Sequence, residues 1–218
     1  MRLKASMTGQ FSYSSMVKLL FYVSFTITMA TFVVVNASWL YWLNLSWAHL
    51  ATRFGTSNTV LMNNFYQMIK YLQLPWETTL HLDGYRLSAR AVQHFADVRR
   101  LILINNTLLM LLWIVGLRGY FKQVYHQLWQ MTRGLRNFLL GLGMLLLVVM
   151  LDFNDVFIIF HELLFQNRDW IFDPRQDPVI NVLPDQYFFS CFLVWLGIVI
   201  LGLVTGWYLG ERQLKKFK

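Results

Sequence analysis

The sequence predicts an all-α membrane protein with four transmembrane helices, both chain termini on the cytoplasmic side and two loops outside. Composition is the first reason, because 56% of the 218 residues are hydrophobic and 14% are charged, whereas soluble domains are about 25% charged. The second reason is the spacing of the charges, which leaves four stretches without any: 19–52, 101–117, 137–151 and 186–210. The third is an uneven distribution of basic residues along the chain.

The uncharged stretches predict the four helices, because about 20 apolar residues in a helix cross a bilayer core. We expect a single integral membrane domain over 1–218, with helices at about 17–43, 101–118, 136–160 and 186–210. The first stretch is too long for a signal peptide. The composition disfavours the alternative of a soluble protein with four buried core helices.

The basic residues predict the orientation. With the N-terminus inside, the inner segments hold eleven basic residues and one acidic residue, whereas the outer loops hold eight and ten. The eleven are Arg2, Lys4, Lys18, Arg118, Lys122, Arg133, Arg136, Arg212, Lys215, Lys216 and Lys218. This asymmetry is the positive-inside pattern of bacterial and other membranes, and it indicates contact with anionic membrane lipids. It disfavours a nucleic-acid partner.

The two outer loops, 44–100 and 152–187, are long enough to form a small cap on the outer face. Apolar residues at helical spacing over 59–72 predict an amphipathic helix, and Asp83-Gly84 predicts a β-hairpin. Ser88 is a predicted N-cap for a helix that continues into the second transmembrane helix. The single cysteine, Cys191, leaves no disulfide for either loop, so packing must hold the cap.

His94 and Asp97 form the first candidate site. Three residues apart on a helix, the two side chains share a face. A carboxylate beside an imidazole fixes its tautomer and raises its basicity, as general-base chemistry requires. On spacing alone, an ordinary surface pair is the simpler interpretation of the two residues.

His161 is the second candidate, where the third transmembrane helix leaves the membrane. The apolar stretch before it ends at Asp152, so Asp152 and Asp155 lie either within the bilayer's outer part or at its headgroups. His161-Glu162 resembles the start of a zinc-protease helix, but the second histidine ligand is missing. In the following loop, Asp173-Pro174 and Asp177-Pro178 predict rigid turns in which each aspartate bonds its own backbone.

Two stretches resemble a known family. They are 91–100, around His94, and 157–189, from the end of the third helix through His161 and the Asp-Pro pairs. Together they resemble the bacterial lipoprotein intramolecular transacylases, which are four-helix integral membrane proteins. Phe95 and Asp185 depart from the pattern, but neither departure affects the histidines.

The resemblance implies an acyltransferase of the bacterial cytoplasmic membrane with its site on the extracytoplasmic face. Its partners would be diacylglyceryl lipoproteins and membrane lipids. The sn-2 acyl chain would move to the α-amine of the lipid-modified cysteine, giving the N-acyl, S-monoacylglyceryl (lyso) form. His94 and His161 would perform the acid–base steps with Asp97 beside them, and neither a cofactor nor a metal would be needed. We expect the two histidines to reach one substrate group.

Two alternatives remain open at this point. One is a metal-dependent membrane hydrolase that uses His94, Asp97 and His161 with a further carboxylate from Asp152, Asp155 or Glu162. The other is a non-catalytic membrane subunit in which both histidines are structural.

Overall fold

The computed structural model describes residues 12–216, so Arg2, Lys4 and Lys218 of the basic set lie outside the described part. Helices account for the fold, and no strand forms within residues 12–216. The α-helices there are α1 Tyr13–Val35, α2 Ser38–Trp47, α3 Leu50–Arg53, α4 Asn58–Gln73, α5 Ala89–Val115, α6 Phe121–His126, α7 Thr132–Leu151, α8 Phe153–Leu164 and α9 Asp185–Lys215.

Four of these helices, α1, α5, α7 and α9, are long and apolar enough to cross a membrane. α9 packs against both α1 and α7, and α5 packs against α1 and α4. Large apolar side chains remain exposed on the outside of the bundle, for example Leu147 and Leu201 at 68% and 67%. A helix satisfies its own backbone polar groups, so such a surface is stable in lipid. The prediction of an all-α membrane protein with four transmembrane helices is confirmed.

The first predicted helix, 17–43, is two helices. α1 ends at Val35 and α2 begins at Ser38. Asn36 lies at the break, and its side-chain amide donates to the carbonyl oxygen of Phe32. Asparagine competes with the backbone in this way and favours helix ends over helix interiors.

The third predicted helix, 136–160, is also interrupted. α7 ends at Leu151, and Asp152 has extended backbone angles, φ −153° and ψ 102°. Its side chain accepts a hydrogen bond from the backbone N–H of Asp155 at 3.1 Å, so Asp152 is the N-cap of α8. The acidic residue that ended the apolar stretch therefore starts a new helix, and α8 carries His161.

The helix predicted over 59–72 is α4, and the helix capped by Ser88 is α5. The Ser88 side chain accepts from the backbone N–H of Ala91 at 3.1 Å. As predicted, this helix runs without a break into the second spanning segment, ending at Val115. Both predictions came from local features, an amphipathic stripe and a serine cap.

The predicted β-hairpin does not form. A turn is present at Asp83-Gly84, with the Tyr85 N–H bonded to the Leu82 carbonyl. Gly84, the third residue of this turn, has φ +78°, whereas Asp83 does not have a positive φ. Hairpins favour turns with a positive φ at the second position, because only those match the twist of paired strands. Asn64 of α4 holds the turn instead, bonding both the N–H and the carbonyl of Asp83 at 2.7 and 2.9 Å.

The two loops are held together by packing. Tyr41 of α2 stacks on Phe65 of α4 with ring centroids 4.3 Å apart, and its hydroxyl donates to the Val182 carbonyl at 3.1 Å. Leu183 and Tyr187 belong to the same buried cluster. Residues 182–187 lead from the second loop into α9, so this cluster joins the two loops to each other and to the bundle.

Candidate active site

His94 lies in the second turn of α5, before the apolar stretch that begins at Leu101. Asp177, from the second loop, fixes the start of this helix. Its carboxylate accepts hydrogen bonds from the backbone N–H and the side-chain hydroxyl of Ser88, at 2.6 and 2.8 Å. The prediction that the Asp177 side chain bonds its own backbone is therefore wrong, whereas Asp173 does bond the N–H of Arg175 at 2.9 Å.

His161 lies in the last turn of α8, and its orientation is set by its own helix. Its Nδ1 is 2.7 Å from the carbonyl oxygen of Phe157. A carbonyl only accepts, so Nδ1 carries the proton and neutral His161 has its lone pair on Nε2. Two ring contacts, Phe153 with Phe189 and Phe157 with Phe188, hold α8 against the start of α9 at 5.0 and 5.5 Å.

The structure brings His94 and His161 together, with ring centroids 5.9 Å apart. Phe165 contacts both rings, at 4.9 Å from His94 and 5.7 Å from His161. Phe172 lies 5.6 Å from His94 and Trp170 lies 5.0 Å from His161. The two imidazoles therefore share an aromatic enclosure that excludes much of the solvent.

The segment after α8 is tied to α5 on either side of His94. One turn before His94, the Arg90 side chain donates to Asp169 at 3.3 Å and also bonds the Arg168 carbonyl. One turn after it, Asp97 accepts from the Asn167 amide at 3.0 Å. These contacts set the distance between the helix that carries His94 and the segment that follows His161.

Asp97 does not hydrogen-bond His94. Its two carboxylate oxygens accept from Gln93 and from Asn167, both at 3.0 Å. Side chains on a helix lean toward its N-terminus, which favours contact with the residue four positions earlier. The prediction that Asp97 fixes the tautomer of His94 is therefore not met by the geometry. The Nδ1 of His94 is buried and has no hydrogen-bond partner among the described residues.

Burial weakens both imidazoles as bases. The pKa of His94 is lowered from 6.5 to about 4, mainly by burial and also by the neighbouring His161, while Asp97 and Asp169 oppose the shift. Burial also lowers the pKa of His161, against the opposing effect of its bond to the Phe157 carbonyl. Both rings are therefore neutral near pH 7. His161 is the better proton acceptor, because a hydrogen bond supports its charged form and His94 has none.

The aromatic enclosure was not predicted as part of the site. The available signal was the density of aromatic residues over 157–172, but it could not show which rings face the histidines.

Within residues 12–216, the side chains of His, Cys, Asp and Glu form no group of three that could hold a metal ion.

The fold and the histidine pair define the class of protein: a four-helix integral membrane protein with two histidines close together at one end of its bundle. The model of the lipoprotein intramolecular transacylase family, Lit, matches residues 16–188. The chain therefore belongs to the Lit family.

Solved structures show the same fold. The chain is similar to the membrane integral lipoprotein intramolecular transacylase Lit from Bacillus cereus, with a TM-score of 0.78 and 24% identity over 92% of this chain and 94% of the other. A histidine-to-alanine variant of that protein matches with a TM-score of 0.70 and 25% identity over 92% of each chain. No curated protein sequence matches the chain.

Proposed function

We propose that this protein moves an acyl chain within one lipoprotein molecule, from the sn-2 position of S-diacylglyceryl cysteine to the α-amine of that cysteine. The product is the N-acyl, S-monoacylglyceryl form. The observation that carries the proposal is the pairing of His94 and His161, with rings 5.9 Å apart in an aromatic enclosure. Membership of the Lit family supports the reaction class.

The chemistry requires proton transfer and little else. A free α-amine has a pKa of about 7.7–8.0, so much of it is protonated near neutral pH and cannot attack. Water takes that proton from the resting ammonium and leaves the free amine. As the amine nitrogen attacks the ester carbonyl carbon, the carbonyl oxygen becomes an oxyanion. The Nε2 lone pair of His161, whose Nδ1 is held by the Phe157 carbonyl, accepts one proton from the attacking nitrogen.

His94 is suited to stabilise that oxyanion. With its pKa lowered to about 4, it stays neutral and can donate one N–H to the developing charge, as neutral imidazoles do in other enzymes. When the carbon–oxygen bond to glycerol breaks, the proton held by His161 passes to the glycerol oxygen. One ester bond is lost and one amide bond forms, and both histidines return to their starting state.

The protein contributes positioning, because nucleophile and ester belong to one molecule. α8 exposes apolar side chains, with Phe160 and Leu163 at 54% and 79%, and these are suited to contact acyl chains. The charge asymmetry of the sequence supports a location of His94 and His161 at the extracytoplasmic interface, where lipoprotein ester groups lie. The proposed location is the bacterial cytoplasmic membrane.

Mass spectrometry tests the reaction. The purified protein is incubated with a synthetic S-diacylglyceryl peptide that has a free α-amine, with and without a chelator. We expect a product of unchanged mass whose fragments place one acyl chain on nitrogen, in both conditions. Free fatty acid that disappears with chelation would support a metal-dependent hydrolase instead. An unaltered peptide would support a non-catalytic subunit.

A further inference from the structure

A second feature lies beside the histidine pair. It is a pocket of about 470 Å³ between α8 and the segment 165–171, within the size range of ligand sites, about 300–1,000 Å³. By contrast, a cavity under Tyr41 and Phe65 measures about 20 Å³, which is room for a single water molecule. The larger pocket is not used by the proton transfer described above.

The pocket adjoins the histidine enclosure. Phe165 and Trp170 line it, and the same two rings contact His161 at 5.7 and 5.0 Å. The two spaces therefore share these rings as a wall, and a substrate bound at the histidines has the pocket beside it. The other apolar walls are Ile158 and Ile171.

The pocket also carries two unused charges of opposite sign. Glu162 and Arg168 line it, and both are exposed. The only ion pairs among residues 12–216 are His81 with Asp83 and Arg90 with Asp169, so neither Glu162 nor Arg168 has a charged partner there. The Arg168 main-chain carbonyl is bonded by Arg90, which fixes the backbone and leaves the guanidinium available.

We infer that this pocket binds the peptide that follows the acylated cysteine of the substrate; the inference rests on the proposed function. Arg168 donates to peptide carbonyl oxygens, and Glu162 accepts from peptide N–H groups or from a basic side chain. Acyl chains suit the pocket poorly, because they offer no partner to either charge. The apolar walls and Trp170 provide contact area for peptide side chains.

Two substrates separate this inference from the transfer reaction. One is an S-diacylglyceryl pentapeptide with a free α-amine, and the other is S-diacylglyceryl cysteine amide, which lacks the peptide. We expect the unmodified protein to have a KM about tenfold lower for the pentapeptide, the ratio that one charge-assisted hydrogen bond provides. Glu162→Gln and Arg168→Gln should each lose most of that preference.

Two charge-neutralising variants are matched controls that keep the preference. Asp155→Asn changes an exposed acid on the same helix, and Arg175→Gln changes an exposed base in the same loop outside the pocket. Equal KM values for both substrates in the unmodified protein would overturn the inference. Retention of the pentapeptide preference in the Glu162 and Arg168 variants would overturn the inference too. If the pocket instead bound a phospholipid headgroup, the unmodified protein would show no preference for the pentapeptide.

Binding of the same two molecules, measured at constant micelle composition without turnover, distinguishes the two proposals. A pentapeptide preference in binding that the Glu162 and Arg168 variants lose, combined with no acyl transfer, would overturn the proposed function and leave the pocket assignment standing. Acyl transfer to nitrogen without a pentapeptide preference in binding would overturn the pocket assignment and leave the proposed function standing.

Discussion

Asp177 accepts two hydrogen bonds from Ser88, although 89 positions separate the two residues in the chain. Asp177 is only 3% exposed, so its carboxylate depends on these bonds in place of water. The contact joins the second loop to the N-terminus of α5, six residues before His94. It is therefore one of the contacts that hold the two halves of the candidate site in register.

Asp177→Ala should lower the yield of folded protein and its thermal stability in detergent. The substitution leaves the N–H of Ser88 without its acceptor, and a buried hydrogen bond to a charged group contributes roughly 1.5–3 kcal/mol. Asp173→Ala should have a smaller effect of the same kind, because Asp173 is exposed and caps only a local turn. Both variants should lower folded yield more than activity per folded molecule. Full yield of either variant with no activity would instead indicate a direct role in the reaction.

His94→Ala and His161→Ala should each reduce formation of the N-acyl product by about 10²–10⁴-fold, the usual contribution of general acid–base groups. The double variant should be little worse than either single variant, because groups that act as a unit are not additive. Asp97→Asn should be milder, since it keeps one acceptor oxygen and removes only the charge near His94. The measurement is product formation per folded protein by mass spectrometry.

His81→Ala is the matched control for these variants. The His81 side chain is 84% exposed and pairs only with Asp83, so its loss should leave product formation unchanged. Near-normal activity of His94→Ala or His161→Ala would assign that histidine a structural role and remove it from the proposed mechanism.

The lowered pKa of His94 predicts a pH dependence of stability. Because its pKa is about 4 in the folded protein against 6.5 without the fold, protonation favours the unfolded state. The contribution of neutral His94 to the stability of the folded protein is complete above pH 6.5 and is lost as the pH falls toward 4. The unfolding temperature in detergent should therefore fall more over this window for the unmodified protein than for His94→Gln. Parallel curves for the two proteins would contradict the burial of His94.

Close packing at the other end of α9 predicts a stability difference between two glycines. A Cβ at Gly210 would lie 2.8 Å from the backbone carbonyl oxygen of Leu128, whereas a Cβ at Gly197 would meet nothing within 4 Å. Gly210→Ala should lower the unfolding temperature, at a cost of about 1–3 kcal/mol for overpacking. Gly197→Ala is the control and should be neutral or slightly stabilising, because alanine favours helix over glycine. Equal unfolding temperatures would contradict the contact between α9 and the turn at Leu128.

The proposed orientation can be tested with single cysteines in a Cys191→Ser background. Thr78→Cys and Gln176→Cys place thiols at exposed positions in the two loops. Lys122→Cys places one at an exposed position between α5 and α7. A membrane-impermeant thiol reagent should label the first two in intact cells and the third only after lysis. The opposite pattern would move the histidine pair to the cytoplasmic side.

Helices and their start signals could be read from the sequence. Uncharged stretches identified four spanning helices, an amphipathic stripe identified α4, and Ser88 identified the start of α5. These features are local, since each depends on residues within a few turns of one another. The breaks at Asn36 and Asp152 were missed, because each depends on where one side chain bonds: Asn36 to the preceding turn and Asp152 to the following one.

The sequence by itself determined that this is a four-helix membrane protein and singled out His94 and His161, because apolar stretches, helix caps and motifs are local features of the chain. Only the tertiary structure decided that the two rings lie 5.9 Å apart, that Asp97 bonds Gln93 and Asn167, and that Asp177 reaches Ser88. Local spacing constrains the neighbours of a residue on its own helix. It does not constrain contacts across 67 or 89 positions, because these depend on how α5, α8 and the second loop pack together.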